Sequence, residues 1–387
     1  MPANNNNSRP AFDCCPAPND SRRRLLLKLI KLAGASVVAL TPAMHTLAQP
    51  NAALKKTNPT TNRVYRLYAI TWRGKTQVEK GLEDTLATRG IAVEFIWRDA
   101  AQNPAKLDEF VQEIKAMQKQ GAAVTPDLIY TWGTPPTLGI AGAYDNANKA
   151  SAAQATGQTD PRYVTDIPIL FALVAAPVAA KIVASLTNQG RDITGIHHVA
   201  AVDAQIEAMR NYRKFSKLGV LYNAAEANSL ATAEALRKLG TTQKFSVVEA
   251  TFDLGTNGKA VPTGIEDKIL ALKKAGAEWL YLGPDSFLFS QIDRVAAAAL
   301  APRLPTFSAT EGALNANAPV LAGLVSSYYA IGQFAALKAE QILVQGMRAR
   351  DIPIETLSRY SYIVRMDVAK QLDILPPIAL FNIATIR

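Results

Sequence analysis

From residue 64 onward, short runs of β-branched and aromatic residues alternate with longer stretches whose apolar positions recur every three or four residues. Val64–Ile70, Ile91–Ile96, Asp127–Thr131 and Ile167–Val174 read as strands. Between them, Thr76–Arg89 carries Val78, Leu82 and Leu86 at helical spacing and stops at Gly90, and Leu107–Gln120 stops at Gly121. Gly133-Thr134-Pro135 predicts a helix start with Thr134 as the cap, and Pro177 predicts another. A second series follows: strands at Leu218–Tyr222, Phe245–Ala250 and Trp279–Leu282, and helices at Ser229–Leu239 (closed by Gly240), Ile265–Lys274 (closed by Gly276) and Phe287–Leu300. Such alternation implies parallel strands flanked by helices, and two such series imply an α/β protein of two doubly wound parallel-sheet lobes. Asn146–Pro161, rich in Ala, Gln, Thr and Asn, reads as a surface insertion.

The first sixty residues do not follow this rhythm. Ser21-Arg22-Arg23-Arg24-Leu25-Leu26-Leu27-Lys28, the apolar run Leu32–Leu40 and the small-residue stretch ending at Ala48 have the order of an export signal. The apolar run is too short for a stable membrane span. Arg23 to Lys28 fits the twin-arginine pattern, and an ordinary Sec signal remains open. Residues 1–48 are therefore expected to be cleaved near Ala48, residues 49–61 to form a flexible leader, and the remainder to work in the periplasm.

Composition changes meaning once that segment is set apart. The 387-residue chain has a formal charge of +10, which invites a nucleic-acid reading. Residues 1–48, however, hold six basic and two acidic residues, together with both cysteines (Cys14, Cys15) and His45. The rest carries its positive charges interspersed with acids, as on a solvated face, so no nucleic-acid partner is expected. Its histidines are the adjacent pair His197-His198, which leaves no basis for a metal site or cofactor. No G-x-S-x-G elbow, P-loop, H-E-x-x-H helix or G-x-G-x-x-G fingerprint occurs, so catalysis is not expected.

In open α/β sheets, ligands bind beyond the carboxyl ends of the strands. The residues there are Trp72-Arg73, Trp132-Gly133-Thr134, Ala175-Ala176-Pro177, Asn223 to Ser229 with Glu226 and Asn228, Asp285-Ser286, and Glu311. Arg73 and the helix starts at Thr134, Pro177, Ser229 and Ser286 suit a carboxylate. Trp72 and Trp132 suit a planar group, Asp285 and Glu311 an ammonium, and Asn223 and Asn228 neutral hydrogen bonds. Each also has a structural alternative: caps for Thr134, Asn228, Ser229 and Asp285, and lobe packing for the tryptophans. Tyr328 and Tyr329 either line the cleft from behind or pack in the hinge. For His197 and His198 a satisfied structural role is the stronger expectation.

Four stretches carry a resemblance to a known family: Ile167–Val178 leading to Asp192–Ile196, Leu218–Ser229, Trp279–Ser286, and Arg350–Thr356 followed by Leu372–Pro377. In these the chain resembles the substrate-binding proteins of ABC transporters, in the family that includes tryptophan and phenylalanine binders. The resemblance implies a type I periplasmic-binding-protein fold, with a three-segment hinge crossing near Ile196–Val202, Leu304–Ser308 and Leu324–Tyr329. Lobe 1 is then expected at residues 62–200 and 305–327, and lobe 2 at 201–304 and 328–387. It further implies a monomer that captures a small amino-acid-like ligand by closure and passes it to an inner-membrane ABC permease. A ligand sensor feeding a receptor or kinase, or an exported enzyme on the same fold, are the alternatives. The family often has Ser or Thr followed by Asp where this chain has Ala175 and Ala176, which leaves the ligand open.

Overall fold

A computed structural model describes residues 63–144, 162–187, 190–315 and 317–387. The expected export signal, the leader up to residue 61 and the whole of the expected insertion lie outside the described residues. No helix among the described residues is long and apolar enough to cross a membrane.

The first lobe is built on five parallel strands: β1 (Tyr65–Thr71), β2 (Val93–Asp99), β3 (Leu128–Trp132), β4 (Ile169–Ala172) and β5 (Ile193–Ile196), in the order β2-β1-β3-β4-β5. The chain starts near the middle, winds outward through α1 (Gln77–Thr88), then returns through α2 (Ala105–Gln120) to the other side of β1. That reversal beside β1 opens a crevice at the carboxyl ends of β1 and β3, where α3 (Thr134–Ala141) begins. Strands β1, β3, β4 and β5 are nearly wholly buried, as apolar runs covered on both faces must be.

The second lobe holds a seven-stranded sheet in the order β14-β13-β12-β11-β10-β6-β7. Its strands are β6 (Lys217–Tyr222), β7 (Ser246–Thr251), β10 (Trp279–Leu282), β11 (Thr306–Ser308), β12 (Ala322–Val325), β13 (Ser361–Val364) and β14 (Thr385–Ile386). β13 runs antiparallel to β12, and the short hairpin β8 (Asp253–Leu254)–β9 (Ala260–Val261) stands apart. Helices α4 (Val202–Tyr212), α5 (Ala227–Gln243), α6 (Ile265–Lys274), α7 (Ser286–Ser290), α8 (Ile292–Leu300), α9 (Glu311–Asn315) and α11 (Met366–Leu372) belong to this half of the molecule. The intervening α10 (Tyr328–Leu343) belongs to the first lobe: its Ile331, Ala335, Ala336 and Ala339 share one core with Tyr68, Leu82 and Phe171.

Lobe membership therefore differs from expectation. Residues 305–327 contribute β11 and β12 to the second sheet, and residues 328–354 pack into the first lobe. The crossing expected at Leu304–Ser308 lies inside the second lobe, because β11 pairs with β10 and β12 on either side. The crossings leave β5 after Ile196, leave β12 after Val325, and pass through Glu355 toward β13. They are tied together: Ile196 pairs with Glu355, Val199 pairs with Val325, and the His197 amide donates to the Glu355 carbonyl at 3.0 Å. Lys338 of α10, almost without exposure, donates to Pro353 O at 2.6 Å and to Glu355 Oε2 at 2.8 Å.

Three local expectations are also corrected. Pro177 opens hydrogen-bonded turns, with Ile182 N donating to its carbonyl at 2.9 Å, rather than a helix. Gly133, at φ +87°, is the cap residue before α3, so Thr134 is its first helical position. Gly240 lies inside α5, which runs on to Gln243 and ends at the left-handed Lys244. A Cβ at Gly240 would lie 2.6 Å from Phe245 O, so close approach to the following strand explains that glycine.

Candidate functional site

The strand-end loops of both lobes meet around one cleft of about 440 Å3, counting its mouth open to solvent. Its first-lobe wall comprises Arg73, Trp132, Gly133, Thr134, Leu173 and Ala175. The facing wall has Asn228, Pro284, Asp285, Ser286, Phe289 and Thr310, and the hinge side has His198 and Tyr328.

Arg73 is the central feature. Its loop leaves β1 and is pinned by Asp99 at the end of β2, whose Oδ1 accepts from Thr71 Oγ1 (3.1 Å), Gly74 N (3.0 Å) and Ala101 N (3.1 Å). The guanidinium lies 4.8 Å from the Trp132 ring centroid and 3.4 Å from that of Phe289, so rings from opposite lobes hold its plane. No carboxylate pairs with it among the described residues, and Nη1 is buried without a hydrogen-bond partner. Burial lowers its pKa to about 10, with Tyr328 and Glu226 pulling the other way, so it stays cationic at neutral pH. A buried, planar, unpaired guanidinium suits a bidentate anion such as a carboxylate.

The opposite wall carries carboxyl groups that are internally bonded. Asp285 caps α7: Oδ1 accepts from Leu288 N at 2.8 Å, and Oδ2 from Asn223 N (2.6 Å) and Ser229 Oγ (2.8 Å). Glu226 accepts from Ser286 N (3.0 Å), Phe287 N (3.1 Å) and Asn223 Nδ2 (3.1 Å). Burial first, and the charge of Glu226 second, hold the Asp285 carboxyl well above the usual carboxylate range. A ligand ammonium placed here would offset that repulsion.

Of the sequence candidates, Arg73, Trp132, Gly133, Thr134, Asn228, Asp285 and Ser286 line the cleft. Asn223, Glu226 and Ser229 stand one layer behind and bond to those that do. Trp72 is buried in the first-lobe core, and Glu311 accepts from Tyr328 N at the start of α10; neither is a lining residue. One face of Trp132 is taken by Arg73, and its Nε1 reaches Thr76 Oγ1 at 3.4 Å. Thr76 in turn donates to Glu79, which accepts from the buried Tyr130 hydroxyl at 2.6 Å, a buttress that sequence reasoning did not find.

Three lining residues carry buried polar atoms without a partner: Arg73 Nη1, His198 Nδ1 and Asn228 Oδ1. The expectation of a satisfied structural histidine thus does not hold for His198 Nδ1. Tyr328 lines the cleft from the hinge side, whereas Phe289 was not among the sequence candidates, since it projects from a helix rather than from a strand-end loop. No group of three metal-ligating side chains occurs among the described residues.

Residues 70–385 match the family described as ABC transporter substrate binding protein. A tyrosine-binding protein of Clostridioides difficile (strain R20291) is 27% identical over 248 residues, 64% of this chain and 63% of that relative's length. A conserved domain protein of Vibrio cholerae superposes with a TM-score of 0.67 at 22% identity, covering 84% of this chain and 99% of that one. An ABC domain from Streptococcus pneumoniae in complex with L-Trp gives 0.66 at 18%, with the same coverage. The fold is accordingly the two-lobed type I periplasmic-binding-protein fold.

Proposed function

Since this chain belongs to the ABC transporter substrate-binding protein family, we propose that it is an exported, periplasmic solute-binding protein that captures an aromatic amino acid and delivers it to an inner-membrane ABC permease. The observation that carries this is the unpaired, ring-clamped Arg73 guanidinium in a cleft whose other wall holds the buried Asp285 carboxyl and the unpartnered Asn228 Oδ1. A zwitterion matches that polarity: its carboxylate meets Arg73, and its ammonium lies against Asn228 Oδ1 and the Asp285 side. Leu173, Phe289 and Tyr328 offer apolar surface to a side chain. The tyrosine-binding relative and the tryptophan-bound neighbour support an aromatic one.

Capture works by hinge closure. Arg73 of one lobe and Phe289 of the other touch only when the walls approach, so the ligand is sealed by the same contact that orients its anion partner. The protein binds and releases its ligand unchanged, as a monomer. Isothermal titration with L-tyrosine, L-tryptophan, L-phenylalanine and the corresponding amines tests this. One-to-one binding of the amino acids, and none of tyramine or tryptamine, is expected. If none of the three amino acids binds, the reading falls.

A further inference from the structure

His198 sits where the hinge forms the back of the cleft. It is 5% exposed, and its Nδ1 is buried without a partner. The antiparallel pairing of Val199 with Val325 sets His198 beside Ser326 on the second crossing, and the buried Ser326 Oγ has no partner either. Two unpaired polar side chains on adjacent hinge strands, one of them facing the cleft, are costly to keep dry and are relieved by a molecule that hydrogen-bonds to them.

We propose that the neutral imidazole of His198 is a ligand contact carried on the hinge, so that the lobes close over ligand only while His198 is unprotonated. This rests on the reading of the cleft as an amino-acid site. Tyr328 stands edge-on to the ring at 6.4 Å between centroids, His197 is its neighbour in the chain, and Arg73 and Asp285 line the same cleft. Glu355 on the third crossing is held by Lys338, and Glu311 by Tyr328 N, so neither is placed to pair with an imidazolium. Burial, and then the charge of His197, lower the His198 pKa to about 3 in this closed arrangement. With the lobes apart, the cleft face of His198 meets water and its pKa returns toward the ordinary ~6.5.

The linkage has one sign. The open form takes up the proton, so the closed form loses ground as pH falls through about 6.5, and affinity declines by up to tenfold per pH unit. Asp285 works the other way: its raised pKa makes closure take up a proton, which favours closure as pH falls. Burial also lowers the pKa of the neighbouring His197, so a loss of affinity on acidification reports the hinge histidines, and its disappearance in H198N assigns it to His198.

The test is calorimetric titration of L-tyrosine and L-tryptophan at pH 8.0, 6.5 and 5.0 on the wild type, H198N and H198L. The wild type should bind about 30-fold more weakly at pH 5.0 than at 8.0. H198N, whose amide stands near the position of Nδ1 and does not titrate, should lose that pH dependence. H198L should bind about tenfold more weakly than wild type at pH 8.0 and also show no pH dependence. Wild-type affinity independent of pH, or a decline on acidification that persists in H198N, overturns the His198 contact and leaves the amino-acid site standing. Binding of neither amino acid at pH 8.0 overturns both.

Discussion

At the residue scale, the site is defined by what its side chains lack. Most buried polar groups in the second-lobe wall are satisfied by their neighbours: Asp285 accepts three hydrogen bonds, and Glu226 is held by two backbone amides and Asn223. Arg73 Nη1, Asn228 Oδ1 and His198 Nδ1 are not. Carrying an uncompensated buried cation costs stability, so its removal has opposite effects on folding and on binding. Arg73→Met is expected to leave the ligand-free melting temperature unchanged or raise it, while weakening amino-acid binding by about 2 kcal/mol or more. A variant that melts lower but binds normally would show that Arg73 is a packing residue. Much of this was readable beforehand, because Arg73, Trp132, Asn228 and Asp285 follow strands and α/β topology sends ligands to strand ends. Which of them would be consumed by neighbours was not readable. Glu311 looks as available as Asp285 in sequence, yet its carboxylate accepts from the first amide of α10.

At the scale of elements, helical periodicity and stop signals located α1, α2 and α6 to within two residues of their ends, since Gly90, Gly121 and Gly276 take positive φ where those helices stop. Gly240 misled, for a steric reason that only the folded partner strand supplies. The same kind of contact joins α1 to α10. A Cβ on Gly332 would lie only 1.9 Å from Val78 O, and one on Gly81 only 2.2 Å from Tyr329 O. The two helices thus touch backbone to backbone, and that contact fixes the first turn of α10, which carries Tyr328 into the cleft. Gly332→Ala should destabilise the protein by about 3 kcal/mol and weaken ligand binding as Tyr328 moves. The exposed neighbour Gln333→Ala should stay within about 0.5 kcal/mol of wild type. Denaturant melts of the two variants decide it: equal midpoints would mean that the helices part without cost.

For the whole molecule, two alternating series were enough to imply two lobes, but not which lobe owns which segment. Strand periodicity reports burial, whereas sheet membership depends on pairing between residues far apart in the chain. β11 and β12 therefore read equally well in either lobe until their pairing with β10 is seen. The resulting architecture gives the first lobe one core and the second lobe another on each face of its sheet, linked by three short crossings that are bonded to each other. If the molecule closes as proposed, it bends at these crossings and keeps each lobe rigid, so a ligand acts on both lobes through the cleft alone. At a hundredfold excess over its Kd the ligand adds about 2.7 kcal/mol of stability, which for a domain pair of this size raises the melting temperature by roughly 4 °C. Hydrogen exchange should slow at once in the loops around Arg73 and around Pro284–Phe289, on opposite walls, and at the crossings beside His198. It should change little in β7, at the far edge of the second sheet. Slowing confined to one wall would mean that the ligand docks on a single lobe without bringing the other over it.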